Sequence, residues 1–186
     1  MPHPFARRRV CSHTLALAVV ATCALAAAFQ QPAGAQSSLA AKPAWRQEPT
    51  KVAKGPAKSV AEIRAFMDDY LRMHAAKDMT NWVKTFLPEA TIVRTADDGQ
   101  VILYTPAQLA KSIADEAVKL DSQHETFEDI VIDVEGDAAS YGGTWRLFHN
   151  GKELRNGRAW YTLVKRNGKW VIASLVWYRR AGGGVR

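Results

Sequence analysis

Two dipeptides, Asn150-Gly151 and Asn167-Gly168, constrain this chain more than any other feature. Each lies between apolar runs of period two, and each supplies two residues that tolerate positive φ, as a two-residue hairpin turn requires. They predict a continuous antiparallel meander, with strands near 124–134, 138–149, 153–166 and 169–178. If no bulge intervenes, the turns also decide which side chains share a face, because side chains alternate along a strand. One face then collects Tyr141, Trp145, Leu147, His149, Leu154, Arg158, Trp160, Thr162, Ala173, Leu175 and Trp177. The other collects Phe148, Tyr161, Leu163, Trp170, Ile172, Val176 and Tyr178. Both faces are largely apolar, so both need cover, and helices can cover only one. The expectation is a homodimer, with the tail or the leader folding back over the second face as the alternative.

Ahead of the meander, Ser59 and Glu62 have capping-box spacing, and Val60, Ile63, Met67, Tyr70 and His74 recur at helical period. This predicts a long amphipathic first helix. A short second helix follows with Trp82, Val83 and Phe86, closed by Pro88. Residues 91–95 and 100–104 read as strands joined by Asp97-Asp98-Gly99. Thr105 with Gln108, and Pro106 at the first helical position, start a third helix carrying Leu109, Ile113 and Ala117.

The N-terminal part has a different character. Arg7 to Arg9, an apolar block from Leu15 to Phe29 and the small residues Ala33-Gly34-Ala35 form the tripartite pattern of a signal peptide over residues 1–35. That block is shorter than the roughly 20 residues a spanning helix needs, so export without stable membrane insertion is expected, to the periplasm or outside the cell. Cys11 and Cys23 both fall in the segment to be removed, which leaves the mature chain without a thiol nucleophile, a disulfide or a Cys-type zinc site. Residues 36–58, rich in Ala, Pro, Lys and Ser, read as a flexible basic leader, and 181–186 as a flexible tail. The formal charge of +7 resides in these flanks, so residues 59–180 are about neutral and a nucleic-acid face is not expected.

Over residues 59–180 the order helix, helix, hairpin, helix and four-stranded meander resembles the nuclear transport factor 2-like (NTF2-like) superfamily, near its SnoaL-like and DUF4440-type bacterial branches. The stretches AAKDMTNWVKTFLPEATI and RNGKWVIASLVW carry the resemblance in spacing and apolar character. It implies an α+β cone, three N-terminal helices on a strongly curved, mostly antiparallel sheet that encloses a pocket. Fold alone does not select an activity, because the superfamily includes both enzymes and noncatalytic binding domains. Against the ketosteroid isomerases of the superfamily, Tyr70 matches the position of the enolate-stabilising Tyr. Arg94 stands where those enzymes have the carboxylate base, and Thr162 where they have a second acid. An Arg cannot accept the proton, so isomerase activity is not expected.

The candidate ligand-binding residues are therefore Tyr70, Phe86, Arg94, Trp145, Arg158, Trp160 and Trp177, with Tyr70 and His74 as candidate catalytic groups. A fixed cation at Arg94 suits an anionic ligand, or else pairs with Asp97 or a glutamate of the meander. Aromatic walls suit a flat apolar molecule, or simply fill a core. His74 on an apolar helix face is a general base or a hydrogen-bonded core residue. No HxH or HExxH pair and no phosphate-binding Gly loop or dinucleotide fingerprint occurs, so neither a metal nor another cofactor is expected. The leading reading is an exported domain that holds a small apolar or anionic molecule without catalysis. A pocket enzyme of the dehydratase, cyclase or hydrolase type and a noncatalytic dimerisation module are the alternatives.

Overall fold

The computed structural model describes residues 43–95 and 99–180. The expected signal segment, both cysteines, Asp97, Asp98 and the tail lie outside the described residues. In chain order come β1 (Arg46–Gln47), β2 (Thr50–Lys54), α1 (Ala57–Ala75), α2 (Met79–Trp82), a 3₁₀ turn (Val83–Thr85), β3 (Phe86–Thr95), β4 (Val101–Tyr104) and α3 (Pro106–Ala117). The meander β5 (Gln123–Glu135), β6 (Ala138–His149), β7 (Lys152–Arg166) and β8 (Lys169–Arg179) follows. One eight-stranded mixed sheet runs β1-β5-β6-β7-β8-β3-β4, with β2 also on β5. This is the expected α+β architecture.

Both hairpin turns form as their residues require, with Asn150 and Gly151 at φ 48 and 76 and Asn167 and Gly168 at 53 and 74. The unbroken register does not follow. Bulges fall between Leu147 and Phe148 and between Thr162 and Leu163, so Tyr141 pairs with Tyr161 and Tyr161 with Leu175. A one-residue slip exchanges the faces of a strand. Tyr161 and Leu163 turn inward and are buried, whereas Trp160 is 47% exposed and Thr162 is exposed. Trp170 and Ile172 are also buried, beyond the second bulge.

The first helix starts at Ala57 behind Pro56, with no side-chain cap. The expected Ser59/Glu62 capping box is thus corrected: Glu62 accepts from Lys165 Nζ at 2.8 Å and from Trp170 Nε1 at 3.2 Å, joining α1 to the sheet. The capping box of α3 is present, with Thr105 and Gln108 bonded reciprocally. Ile63, Met67 and Leu71 on α1, with Trp82, Phe127 and Ile132, are fully buried. Each such side chain contributes roughly 1.5–3 kcal/mol by leaving water.

The leader expected to be flexible supplies β1 and β2, both parallel to β5. The free edge of β5 is a row of unpaired backbone groups, and the leader satisfies it. Gln47 anchors it: its Nε2 donates to Arg64 O and Asp68 Oδ1, each at 2.8 Å, and its Oε1 accepts from the Tyr141 hydroxyl at 3.0 Å.

Candidate functional site

A cavity of about 110 Å³ lies between the inner sheet face, α1 and α3. Helix α1 contributes Tyr70 and, one turn on, His74; the strands contribute Arg94, Tyr104, Glu125, Phe127, Trp145, Tyr161 and Trp177. Ser112, Glu116, His149 and Arg155 line both this cavity and an open groove, so the cavity opens between α3 and the β6–β7 hairpin. The approach of strands is close near Trp145: a Cβ at Gly157 would lie 1.8 Å from Tyr178 O and 3.1 Å from Trp145 Nε1.

At the inner end the Tyr161 hydroxyl faces that of Tyr70 at 3.4 Å. The Tyr70 ring packs on Trp82, Tyr161 and Phe86 at centroid distances of 5.1, 5.7 and 6.2 Å. Burial holds both hydroxyls well above the usual phenol range, and the nearby charge of Glu125 adds to it. Glu125 itself has its carboxyl pushed up to about 7 by desolvation. A carboxyl at that value can give or take a proton near neutral pH.

His74 is 3% exposed, and its Nδ1 has no hydrogen-bond partner. Burial depresses the imidazole to about 4, so it is neutral at pH 7. Arg94 Nε and Trp145 Nε1 are likewise buried and unpartnered. The Arg94 guanidinium sits over the Tyr104 ring at 5.8 Å, and Tyr104 stacks on Trp177 at 6.1 Å with an interplanar angle of 16°. Among the described residues Arg94 pairs with no carboxylate, while Asp97, its expected alternative partner, lies outside them. No group of three or more His, Cys, Asp or Glu side chains there could hold a metal.

The cavity thus brings together Tyr70, His74, Arg94, Trp145 and Trp177 of the sequence candidates. Phe86 opens β3 rather than ending a helix, and it supports Tyr70 from the core without lining the cavity. Arg158 and Trp160 are corrected outright. They stack on each other at 5.7 Å on the outer face, because the extra residue Leu154, bulged opposite Leu147 and Phe148, reverses the phase of the rest of β7. Tyr161 takes the inward position expected for Thr162. Sequence reasoning also missed Glu125, although a signal was present: Gln123, Glu125 and Phe127 are in phase, so an inward Phe127 carries a carboxylate inward with it.

A family model described as a SnoaL-like domain matches residues 56–176. No curated protein matches the chain. Among solved structures, an NTF2-like protein of unknown function from Shewanella baltica OS155 superposes with a TM-score of 0.56 at 18% identity, over 69% of this chain and 99% of the other. A protein from Novosphingobium aromaticivorans DSM 12444, described as a candidate scytalone dehydratase, superposes with a TM-score of 0.58 at 16% identity, covering 69% and 90%. A candidate calcium/calmodulin-dependent protein kinase II association domain from Xanthomonas campestris does so with a TM-score of 0.54 at 18% identity, covering 69% and 91%. At these identities the likeness is one of fold.

Proposed function

The chain belongs to the SnoaL-like family, of NTF2-like fold, and we propose that it is an exported domain that binds a small, partly apolar molecule in its cavity. The observation that carries this reading is the set of unpartnered buried atoms around one cavity, His74 Nδ1, Arg94 Nε and Trp145 Nε1. Buried polar groups are nearly always hydrogen-bonded, and leaving one unsatisfied costs roughly 1–3 kcal/mol. A ligand bearing acceptor oxygens answers the two N–H groups, and the aromatic walls take its apolar body. Thermal-shift and native mass-spectrometric screening of the mature chain against small apolar carboxylates and neutral compounds tests it, with Arg94→Ala as control. A cavity that binds nothing sinks the proposal.

A second reading is favoured by Glu125 beside the paired hydroxyls. There Glu125 moves a proton to or from the bound molecule while Tyr70 or Tyr161 donates a hydrogen bond to the oxygen that gains charge. His74, neutral and desolvated, serves less well as the base. Turnover that survives Glu125→Gln unchanged eliminates this role.

Homodimerisation is proposed through the outer sheet face. Val131, Gly142, Trp160, Val176, Val93 and Leu103 are successive register partners across β5, β6, β7, β8, β3 and β4. Trp160, Val176 and Leu103 are 47%, 39% and 68% exposed, an apolar row of the kind that marks an interface. Light scattering at micromolar concentration tests it, since a monomer there refutes a dimer, and Trp160→Lys is expected to dissociate one.

A further inference from the structure

We infer that the molecule held is a single-ring monocarboxylate bearing a neutral hydroxyl or carbonyl opposite its carboxylate; the inference rests on the ligand-binding reading above and specifies its substrate class. Size is the first constraint. A dry cavity of about 150 Å³ accommodates one benzene ring. At about 110 Å³ this cavity is smaller than that, so a single ring already fills it and reaches into the open end, and a fused second ring would have to lie outside.

Polarity is the second constraint, and it is two-ended. Arg94 lies on β3 and Glu125 on β5, and β6, β7 and β8 separate those strands in the sheet. The Arg94 wall is a cation with an unpartnered buried N–H, backed by Tyr104 and Trp177. A carboxylate is the acceptor that suits a guanidinium best. The opposite wall groups Glu125 with the facing hydroxyls of Tyr70 and Tyr161. A second carboxylate there would be repelled by Glu125, whereas a neutral hydroxyl or carbonyl can exchange hydrogen bonds with all three groups. Phe127, Trp145 and Trp177 also line the cavity, and their aromatic surfaces favour a flat body.

Isothermal titration calorimetry of the mature chain with four probes tests the assignment: 4-hydroxybenzoate, benzoate, 4-hydroxybenzyl alcohol and 6-hydroxy-2-naphthoate. The first is expected to bind, with benzoate and the alcohol each weaker by about tenfold or more, since each leaves one end unanswered. The naphthoate is expected not to bind. Arg94→Met should cost 4-hydroxybenzoate about tenfold or more and leave the alcohol unchanged. Because the four probes are compared on the unaltered chain, a misfolded variant does not decide the outcome. An alcohol or a naphthoate that binds as well as 4-hydroxybenzoate overturns the inference, as does failure of 4-hydroxybenzoate to bind. If a neutral apolar probe such as cyclohexanol still binds in that event, ligand binding survives and only the substrate class is lost; if nothing binds, both fall.

Discussion

Replacing Glu125 by Gln should make the protein more stable above neutral pH, and the gain should vanish in acid. Desolvation raises the Glu125 carboxyl from its ordinary 4.5 to about 7. Below pH 4.5 the residue is protonated in both the folded and the unfolded chain, and it adds no pH dependence. Between 4.5 and 7 the unfolded chain releases the proton while the folded one keeps it. Stability therefore falls as pH rises through this window and levels off above it. A shift of that size corresponds to about 3 kcal/mol, an upper figure because Glu125 keeps some contact with water at the cavity. Urea unfolding of the wild type and Glu125→Gln at pH 4.5, 6, 7 and 8 measures the difference directly. It should open by as much as about 3 kcal/mol between the first and last of these pH values. Curves that stay parallel across the series would show that Glu125 titrates as in water, and its place as a neutral-pH acid or base would go with them.

His74 should act in the opposite sense on the acid side. Its imidazole is depressed from 6.5 to about 4, so it contributes stability above pH 6.5 that is lost as pH falls toward 4, and His74→Gln should remove that loss in the same urea series. Gln47→Ala leaves Tyr141 Oη and Asp68 without their partner and should cost roughly 1–3 kcal/mol, with faster amide exchange in β5 where β1 pairs. Unchanged exchange there would mean that pairing holds the leader without this side chain. Gly157→Ala should abolish the fold or cost more than about 4 kcal/mol, because the added carbon meets Tyr178 O at 1.8 Å, and a well-folded variant by circular dichroism and thermal melting contradicts that packing.

Local chemistry is what made most of the fold legible. The Asn-Gly turns have the positive φ their residues favour, the α3 cap forms where Thr105 and Gln108 predict it, and α1 buries the stripe of Ile63, Met67, Tyr70 and His74. These depend on neighbours in sequence, so they can be read from it. At Ser59 a local signal loses to a distant one: Glu62 has a stronger use in Lys165 and Trp170 than in a cap at the start of its own helix. The leader fails for the same reason, since nothing between residues 46 and 54 announces the unpaired edge of β5, remote in sequence, that makes a strand of it.

For the site the division is sharper. Sequence periods and turns put Tyr70 and His74 on one helix face and Trp145 and Trp177 on one sheet face, the family resemblance added Arg94, and the cavity is lined by all five. Which residues of β7 join them was decided only in the folded sheet. The bulge beside Leu147 adds one unpaired residue, and with side chains alternating at every step that single residue sends Trp160 and Arg158 outward and brings Tyr161 in to meet Tyr70. Glu125 is a plain glutamate in the sequence. Its raised carboxyl is a property of enclosure among Phe127, Trp145 and Tyr161, and enclosure exists only once strands far apart in the chain have closed around it.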